Sequence, residues 1–592
     1  MDTPKVLADA FTHHLDGFMN TLSKIVQGGT NFGNFPLDLS DNVLDAAFEK
    51  LALATSYIRT IKNSHKGVCS LPGELLDKIF SFTAYHLDDF MPFSTRLQWM
   101  DLRWHPSILS GVCRYWRAVT LSYPSMWSTI YLGDTNGYAG LDFAQMCLRR
   151  SYGSLLRVYI DCFQPIPPET YFWTSETLAS QSVRFKSFHF RAPMVDERLL
   201  VVLAECPAPQ LQNLSLQLTS RALPPQVPTL FAGFLPELKR LTTSFCSIWP
   251  HHLTTLTHIC LDDPPMALQA AQIVELLACN LQVEVLTLGS TSTRPMSLEE
   301  EVLEPAAPIS LPQLRDIYIH GHCSTSFCAR LLNAIRPAPT AAIQIECKEQ
   351  RRPTTSHTLV TALARLPFVG NLSAMKLATH LTPGVLTTPA LSIQGTGISS
   401  LDLRYSADIH EMASNQYMAA LLSLLSASGT CELWIERDLV ITREPLWQRI
   451  FFSLPLVTRL VLGPWDRYPI LGNAPDTSNL TALCVIDETL GRALPCPLLE
   501  ELVVIGQLKP ALDRWLTPEL KDFLLSRKDR GFPIRKLTIV EEVKKRKFGG
   551  DKILAGDLEA LKEMVAEVIH LTEIPKLHIR NLDEYLRQRR EH

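Results

Sequence analysis

From about residue 130 to its end, the sequence keeps returning to one triplet, in which two apolar residues flank a third of any kind. Such triplets begin at Val158, Phe188, Leu214, Ile259, Leu286, Ile317, Ile343, Leu401, Leu433, Leu460, Leu483, Leu502, Leu537 and Leu577. Alternation with period two is the pattern of a β-strand with one face buried. The triplets are also regularly spaced. From 188 to 214 is 26 residues, from 259 to 286 is 27, from 317 to 343 is 26, and from 433 to 460 is 27. Many carry a further aliphatic residue three positions earlier: Leu211, Leu256, Leu314, Ile398, Leu480, Leu499 and Ile534. Helix-like segments, Ala267 to Leu277, Ser326 to Ile335, Thr358 to Leu366 and Gln416 to Leu425, lie between the triplets.

A repeat of one strand and one helix is too small to bury its own apolar side, so such units stack and bury their leucines between neighbours. The pattern L-x-x-L-x-L at this period reads as a leucine-rich repeat. The array is irregular. Where regular repeats place Asn or Cys after the strand, this chain has Thr219, Pro264, His322, Ser406, Glu488, Gln507 and Glu542. The later gaps stretch, with 537 − 502 = 35 and 577 − 537 = 40. Leu558, Leu561, Met564, Val565, Val568 and Ile569 space a helix over 557–571, expected to cap the array together with a last strand at 577.

The bulk numbers agree with a folded interaction protein. A chain of 592 residues exceeds one ordinary core. Its hydrophobic fraction of 46% and charged fraction of 20% are those of a globular protein. A net charge of −4 provides no basic field for nucleic acid or an anionic membrane. The longest apolar stretch, near Met418 to Leu425, is far too short to span a bilayer. The sequence opens without a secretory signal, and the 14 cysteines are scattered singly, several inside strand-like runs. Reduced thiols in a cytoplasmic or nuclear protein are therefore expected.

Residues 1–65 read as two helices. Leu7, Phe11, Leu15, Phe18, Leu22 and Ile25 line the first. Ser40 or Asp41 caps the second, where Leu44, Phe48, Leu51, Thr55 and Ile58 follow a short heptad seam. This segment either packs on the next domain or self-associates.

Two motifs follow. In Leu71-Pro72-Gly73-Glu74-Leu75-Leu76-Asp77-Lys78-Ile79-Phe80, Pro72 suits a first helical turn and Glu74 faces the positive end of the helix dipole. Leu75, Leu76, Ile79 and Phe80 then form an apolar face. In the second motif, Leu109, Val112, Cys113 and Trp116 share one helix face, and Tyr123-Pro124-Ser125-Met126-Trp127 ends it. Positions 71–80, 109–117 and 124–127 resemble the F-box. With the array behind them, the chain resembles F-box/leucine-rich-repeat proteins over roughly 71–592. The fold this implies is α/β: an irregular leucine-rich-repeat solenoid over 131–592 with a C-terminal cap, preceded by a small all-α F-box domain over 66–130 and the N-terminal helical segment. An insert near 85–108 separates the two halves of the box, longer than the family usually has.

The resemblance implies a substrate-recognition adaptor of a Skp–cullin–F-box ubiquitin ligase, and no enzyme. Such a protein docks a Skp-type adaptor, and through it a cullin, by the F-box; the repeats hold a protein substrate. Carried over by position, Leu71, Pro72, Leu75, Leu76, Ile79, Phe80, Leu109, Val112 and Trp116 make the adaptor contact or the small core that shapes it. The competing reading is a leucine-rich-repeat scaffold or sensor with no ubiquitin role.

Within the strands, the middle residue and the one after the triplet are expected on the open side of the array. Tyr318, His320, Asp402, Arg404, Trp434 and Glu436, with Val461, Gly463 and nearby Trp465, form the candidate substrate surface. Its mix of aromatic, arginine and carboxylate groups is typical of protein interfaces. His320, His322, Cys323 and Cys328 are the densest set of metal-ligand types, but their spacing matches no common zinc site. The basic run Lys544–Lys547 reads as an exposed loop. No phosphate loop, nucleophile elbow or H-E-x-x-H motif is present, and no cofactor is expected.

Overall fold

The computed structural model describes residues 3–28, 41–64, 66–83, 106–133, 137–162, 168–192, 202–218, 230–244, 253–262, 269–290, 307–321, 323–347, 356–381, 389–406, 415–435, 444–463, 478–484, 494–506, 516–541 and 560–571. The chain forms two compact units. One comprises Met1–Ala84 with His105–Tyr123, the other Tyr85–Trp104 with Pro124–His592. The N-terminal helices and the two motifs fall in the first of these units.

The first unit is helical. Helices α1 (Thr3–Gly28) and α2 (Asp41–Ser64) match the two apolar spacings. After a short 3-10 turn comes α3 (Gly73–Thr83), started by Pro72, whose carbonyl accepts from Leu75 and Leu76 N–H. A helix over 106–112, α4, leads into α5 (Arg114–Ser122). Cys113 caps α5, its thiol accepting from Trp116 N–H at 3.4 Å. Arg114 ties α5 to α2: its guanidinium donates to Ser56 Oγ at 3.0 Å and lies 4.4 Å above the Tyr57 ring.

The second unit is mixed α/β and is built on one long, mostly parallel sheet of 17 strands. In chain order the strands are β1 (Thr129–Gly133), β2 (Leu156–Asp161), β3 (Phe185–Ala192), β4 (Asn213–Leu218), β5 (Arg240–Ser244), β6 (His258–Asp262), β7 (Val285–Ser290), β8 (Ile309–Leu311), β9 (Asp316–Gly321), β10 (Ile335–Pro337), β11 (Ala342–Cys347), β12 (Leu372–Leu381), β13 (Pro389–Gly397), β14 (Ser400–Ser406), β15 (Glu432–Ile435), β16 (Arg459–Leu462), β17 (Glu501–Gly506), β18 (Lys536–Glu541) and β19 (Glu567–Leu571). β8 and β10 pair with each other, apart from the main sheet.

The apolar triplets stack in register. Phe188, Leu214, Leu241, Ile259, Leu286, Ile317, Ile343 and Leu401 are successive partners across neighbouring strands. The residue two positions before many strands, three before the apolar triplet, is buried at a tight turn: Leu211, Leu238, Leu256, Val283, Leu314, Val457, Leu499 and Ile534. At these corners, N–H groups just before a strand donate to the same position of the previous unit, as from Lys239 to Gln212 and from Arg315 to Glu284. The same backbone corner thus recurs from unit to unit along much of the sheet, and one continuous apolar core runs from Trp127 to Val565. Helices Ala270–Cys279, Thr325–Ala334, Ser356–Ala364 and Asn415–Ala427 occupy the segments that the spacing assigns to helix.

Three expectations need correction. Between β11 and β15 the sheet folds back on itself: β14 pairs with β11, β13 runs antiparallel between β14 and β12, and β12 pairs with β15. Ile398 therefore sits in a hairpin turn and is exposed instead of filling a corner. There, a Cβ added to Gly397 would meet the Asn371 carbonyl oxygen at 2.2 Å, so a side chain does not fit. Leu483 and Cys484 follow a short helix, Ser478–Ala482, and β16 pairs directly with β17, so no strand intervenes at 483–484. The spacing of Leu480 and Leu483 serves a helix as well as a strand corner. The helix expected over 557–571 gives way to β19, because Val568 and Ile569 are β-branched and the edge of β18 offers an open ladder. The strand expected at 577 and the basic run at Lys544–Lys547 lie outside the described residues. Among the described residues, no helix is long and apolar enough to cross a membrane.

Candidate protein-binding surfaces

In the first unit, the apolar residues of the two motifs divide into an inner and an outer set. Leu76, Phe80 and Leu109 are buried. The half-buried Trp116 packs on Phe80, with ring centroids 4.7 Å apart at 58°. Tyr115 Oη donates to the Leu71 carbonyl at 2.6 Å and fixes the entry to α3. Leu71 is itself half-buried and Pro72 exposed. On the outside stand Leu75 at 49%, Ile79 at 40%, Ile108 at 63% and Val112 at 53% exposure. The one-residue offset between Leu75/Ile79 and Leu76/Phe80 puts the two pairs on different sides of α3. The helical spacing of both motifs thus serves two purposes, a small core and an apolar outer face. Ile108, absent from the residues singled out by sequence, is exposed as well; it adjoins Leu109 in the same apolar run.

In the second unit, the middle positions of the strands form a row across the sheet. It runs Tyr131, Tyr159, His189, Ser215, Thr242, Cys260, Thr287, Tyr318, Gln344 and Asp402 through parallel partners. It continues through Gln394 and Lys376 to Trp434, Val461, Val503, Thr538 and Ile569. The two ends differ in character. Trp434, Val461, Val503, Ile505 and Val540 form a second apolar cluster, all buried. Trp434 and Val461 therefore do not stand in the open. Trp434 Nε1 donates to Glu432 Oε1 at 2.8 Å. Glu436 and Trp465 lie outside the described residues.

Asp402 is buried too. Its carboxylate is 2.9 Å from Arg404 Nη2, and Gln394 Nε2 donates to it at 3.2 Å. Burial pushes its pKa up, with Arg404 and Gln394 pulling the other way. Tyr318, His320 and Arg404 remain partly open. His320, Glu346 and Arg404 are direct neighbours in the adjacent row, one on each of β9, β11 and β14. Further along that row, Arg191 grips Asp161 with two nitrogens, at 2.6 and 3.0 Å. His320 Nε2 reaches Asp262 Oδ1 at 3.7 Å although β7 lies between them. Gly289 permits this: a Cβ there would fall 1.9 Å from Asp262 Oδ1 and 2.3 Å from His320 Cε1.

The open part of this surface is thus charged and hydrogen-bonding around Asp262, His320, Glu346 and Arg404, with Tyr318 beside it. Cys323 and Cys328 are buried, His322 lies outside the described residues, and no group of three or more metal-ligating side chains occurs among those described. No family model and no curated protein matches this chain.

Proposed function

We propose that this chain is an F-box/leucine-rich-repeat protein, the substrate-recognition adaptor of an intracellular ubiquitin ligase. The observation that carries the reading is the outer set on α3 and α4. Leu75, Ile79, Ile108 and Val112 are large apolar residues left exposed by helices that already have a core of their own. A few exposed apolar anchors on a rigid helical base suffice to dock a partner. In an F-box that partner is the Skp-type adaptor, which leads to a cullin. The in-register stack of L-x-x-L-x-L units supports the leucine-rich-repeat part, with the hairpin β12–β13 as an irregular insertion. The protein substrate then lies on the open charged stretch of the sheet at Tyr318, His320 and Arg404, rather than on Trp434 and Val461.

The test is a pull-down of a purified Skp-type adaptor by the intact chain and by a Leu75→Asp/Val112→Asp variant. Both substituted side chains are exposed, so the variant should keep its circular dichroism and melting temperature. Binding by the intact chain with loss in the variant supports the reading. An intact chain that does not bind leaves a leucine-rich-repeat scaffold without a ligase role.

A further inference from the structure

We propose that α2 is a dimerisation helix that pairs antiparallel with α2 of a second copy of this chain. α2 uses one side within its own unit: Ser56 and Tyr57 hold Arg114. Phe48, Leu51, Thr55 and Ile58 project from the opposite side of the helix, given 100° per residue. All four are exposed, Phe48 at 74%. They follow the alternating three- and four-residue spacing of a coiled-coil seam. A seam of this kind on the side turned away from the helix's own unit fits an external partner.

The charges select the partner. The acidic residues of α2, Asp41, Asp45 and Glu49, all precede its basic residues, Lys50, Arg59 and Lys62. In parallel pairing, acid would lie beside acid and base beside base. In antiparallel pairing each acidic half meets a basic half, and the helix complements itself, as a two-fold interface requires. One register satisfies seam and charge together. Phe48 then faces Ile58 of the second copy, Leu51 faces its Thr55, and Asp45 flanks the seam opposite its Arg59. Each such contact occurs twice in the dimer. The seam is only about two heptads long, so association is expected in the micromolar range.

Sedimentation of the full chain across concentration tests this. The wild type is expected to shift from monomer to dimer, and Phe48→Glu to remain monomeric with an unchanged melting temperature. Asp45→Arg weakens the dimer at least several-fold, and Asp45→Arg/Arg59→Asp restores it. A chain that stays monomeric up to about 100 µM overturns the proposal. So does an Asp45→Arg/Arg59→Asp variant that associates no better than Asp45→Arg, or a Phe48→Glu chain that melts early, which would assign the seam to an internal contact. None of these outcomes depends on adaptor docking.

Discussion

The Phe80 ring on α3 lies 4.7 Å from the Trp116 indole on α5, tilted by 58°. This contact joins two motifs 36 residues apart in sequence (116 − 80 = 36). It separates two ways of losing the proposed adaptor docking. Trp116→Ala removes an aromatic partner from a small core and should cost about 3 kcal/mol of first-unit stability. Val112→Asp should lose docking with stability changed by less than about 1 kcal/mol. Chemical denaturation of both variants, read beside adaptor binding, checks the distinction. A Trp116→Ala chain with wild-type stability would remove Trp116 from the core.

Asn280 ends the helix Ala270–Cys279 and is buried. Its Nδ2 donates to the carbonyls of Leu276 and Leu253, at 2.9 and 2.8 Å, and its Oδ1 accepts from Leu256 N–H at 2.9 Å. One side chain thus locks the helix end to the corner before β6. Asn280→Ala leaves a buried N–H and two carbonyls to find other partners. The expected loss is about 2–4 kcal/mol. Hydrogen exchange should rise at 253–256 and 276–280 before it rises elsewhere in the sheet. Uniform protection in the variant would count against this role.

Arg527, in the helix Leu516–Asp529, is fully buried. Its guanidinium donates to three carbonyls: Pro495 at 3.1 Å, Cys496 at 3.0 Å and Phe532 at 3.3 Å. Burial lowers its pKa. The planar fork spans positions that an ammonium cannot reach together. Arg527→Lys should therefore destabilise by more than about 1 kcal/mol, and Arg527→Ala by about 3 kcal/mol or more. Equilibrium unfolding of both variants tests this, and equal stability of the lysine variant and the wild type would refute it.

Much of the fold was legible because its signal is periodic. Leu214, Ile259, Ile317 and Leu502 each mark a strand by their place in a repeated triplet, and stacking turns that period into register. The fold-back of β12–β14 was not. Met375-Lys376-Leu377 and Leu391-Ser392-Ile393 are apolar triplets too, but whether a strand runs parallel or antiparallel is set by its turns and neighbours rather than by alternation. β5 was missed because Thr243 stands where its neighbours carry an aliphatic residue. At the candidate surfaces, sequence picked out α3 and its apolar face but could not tell Leu75 from Leu76. Which of them is buried depends on where Trp116 packs, a contact between distant segments. The burial of Trp434 and Val461 escaped for a similar reason: their middle-strand position identifies the face of the sheet, not what else lies on it.

His189, in the middle of β3, stacks on Tyr159 with ring centroids 4.6 Å apart at 15°. Burial pushes its pKa down to about 3. In the unfolded chain the imidazole takes up a proton near the usual value of about 6.5. Between these limits the unfolded state binds more protons, so stability falls as the pH drops and is unaffected by this group above about pH 7. The slope is roughly 1.4 kcal/mol per pH unit. His189→Phe keeps an aromatic ring on Tyr159 and removes the proton. The stability of the wild type relative to this variant should be constant from about pH 7 to 9 and decline by roughly 1.4 kcal/mol per unit between about pH 6 and 4. Using the difference cancels carboxylates common to both chains. Urea denaturation at each pH measures it, and a difference that stays flat down to pH 4 would mean that His189 is protonated in the folded sheet.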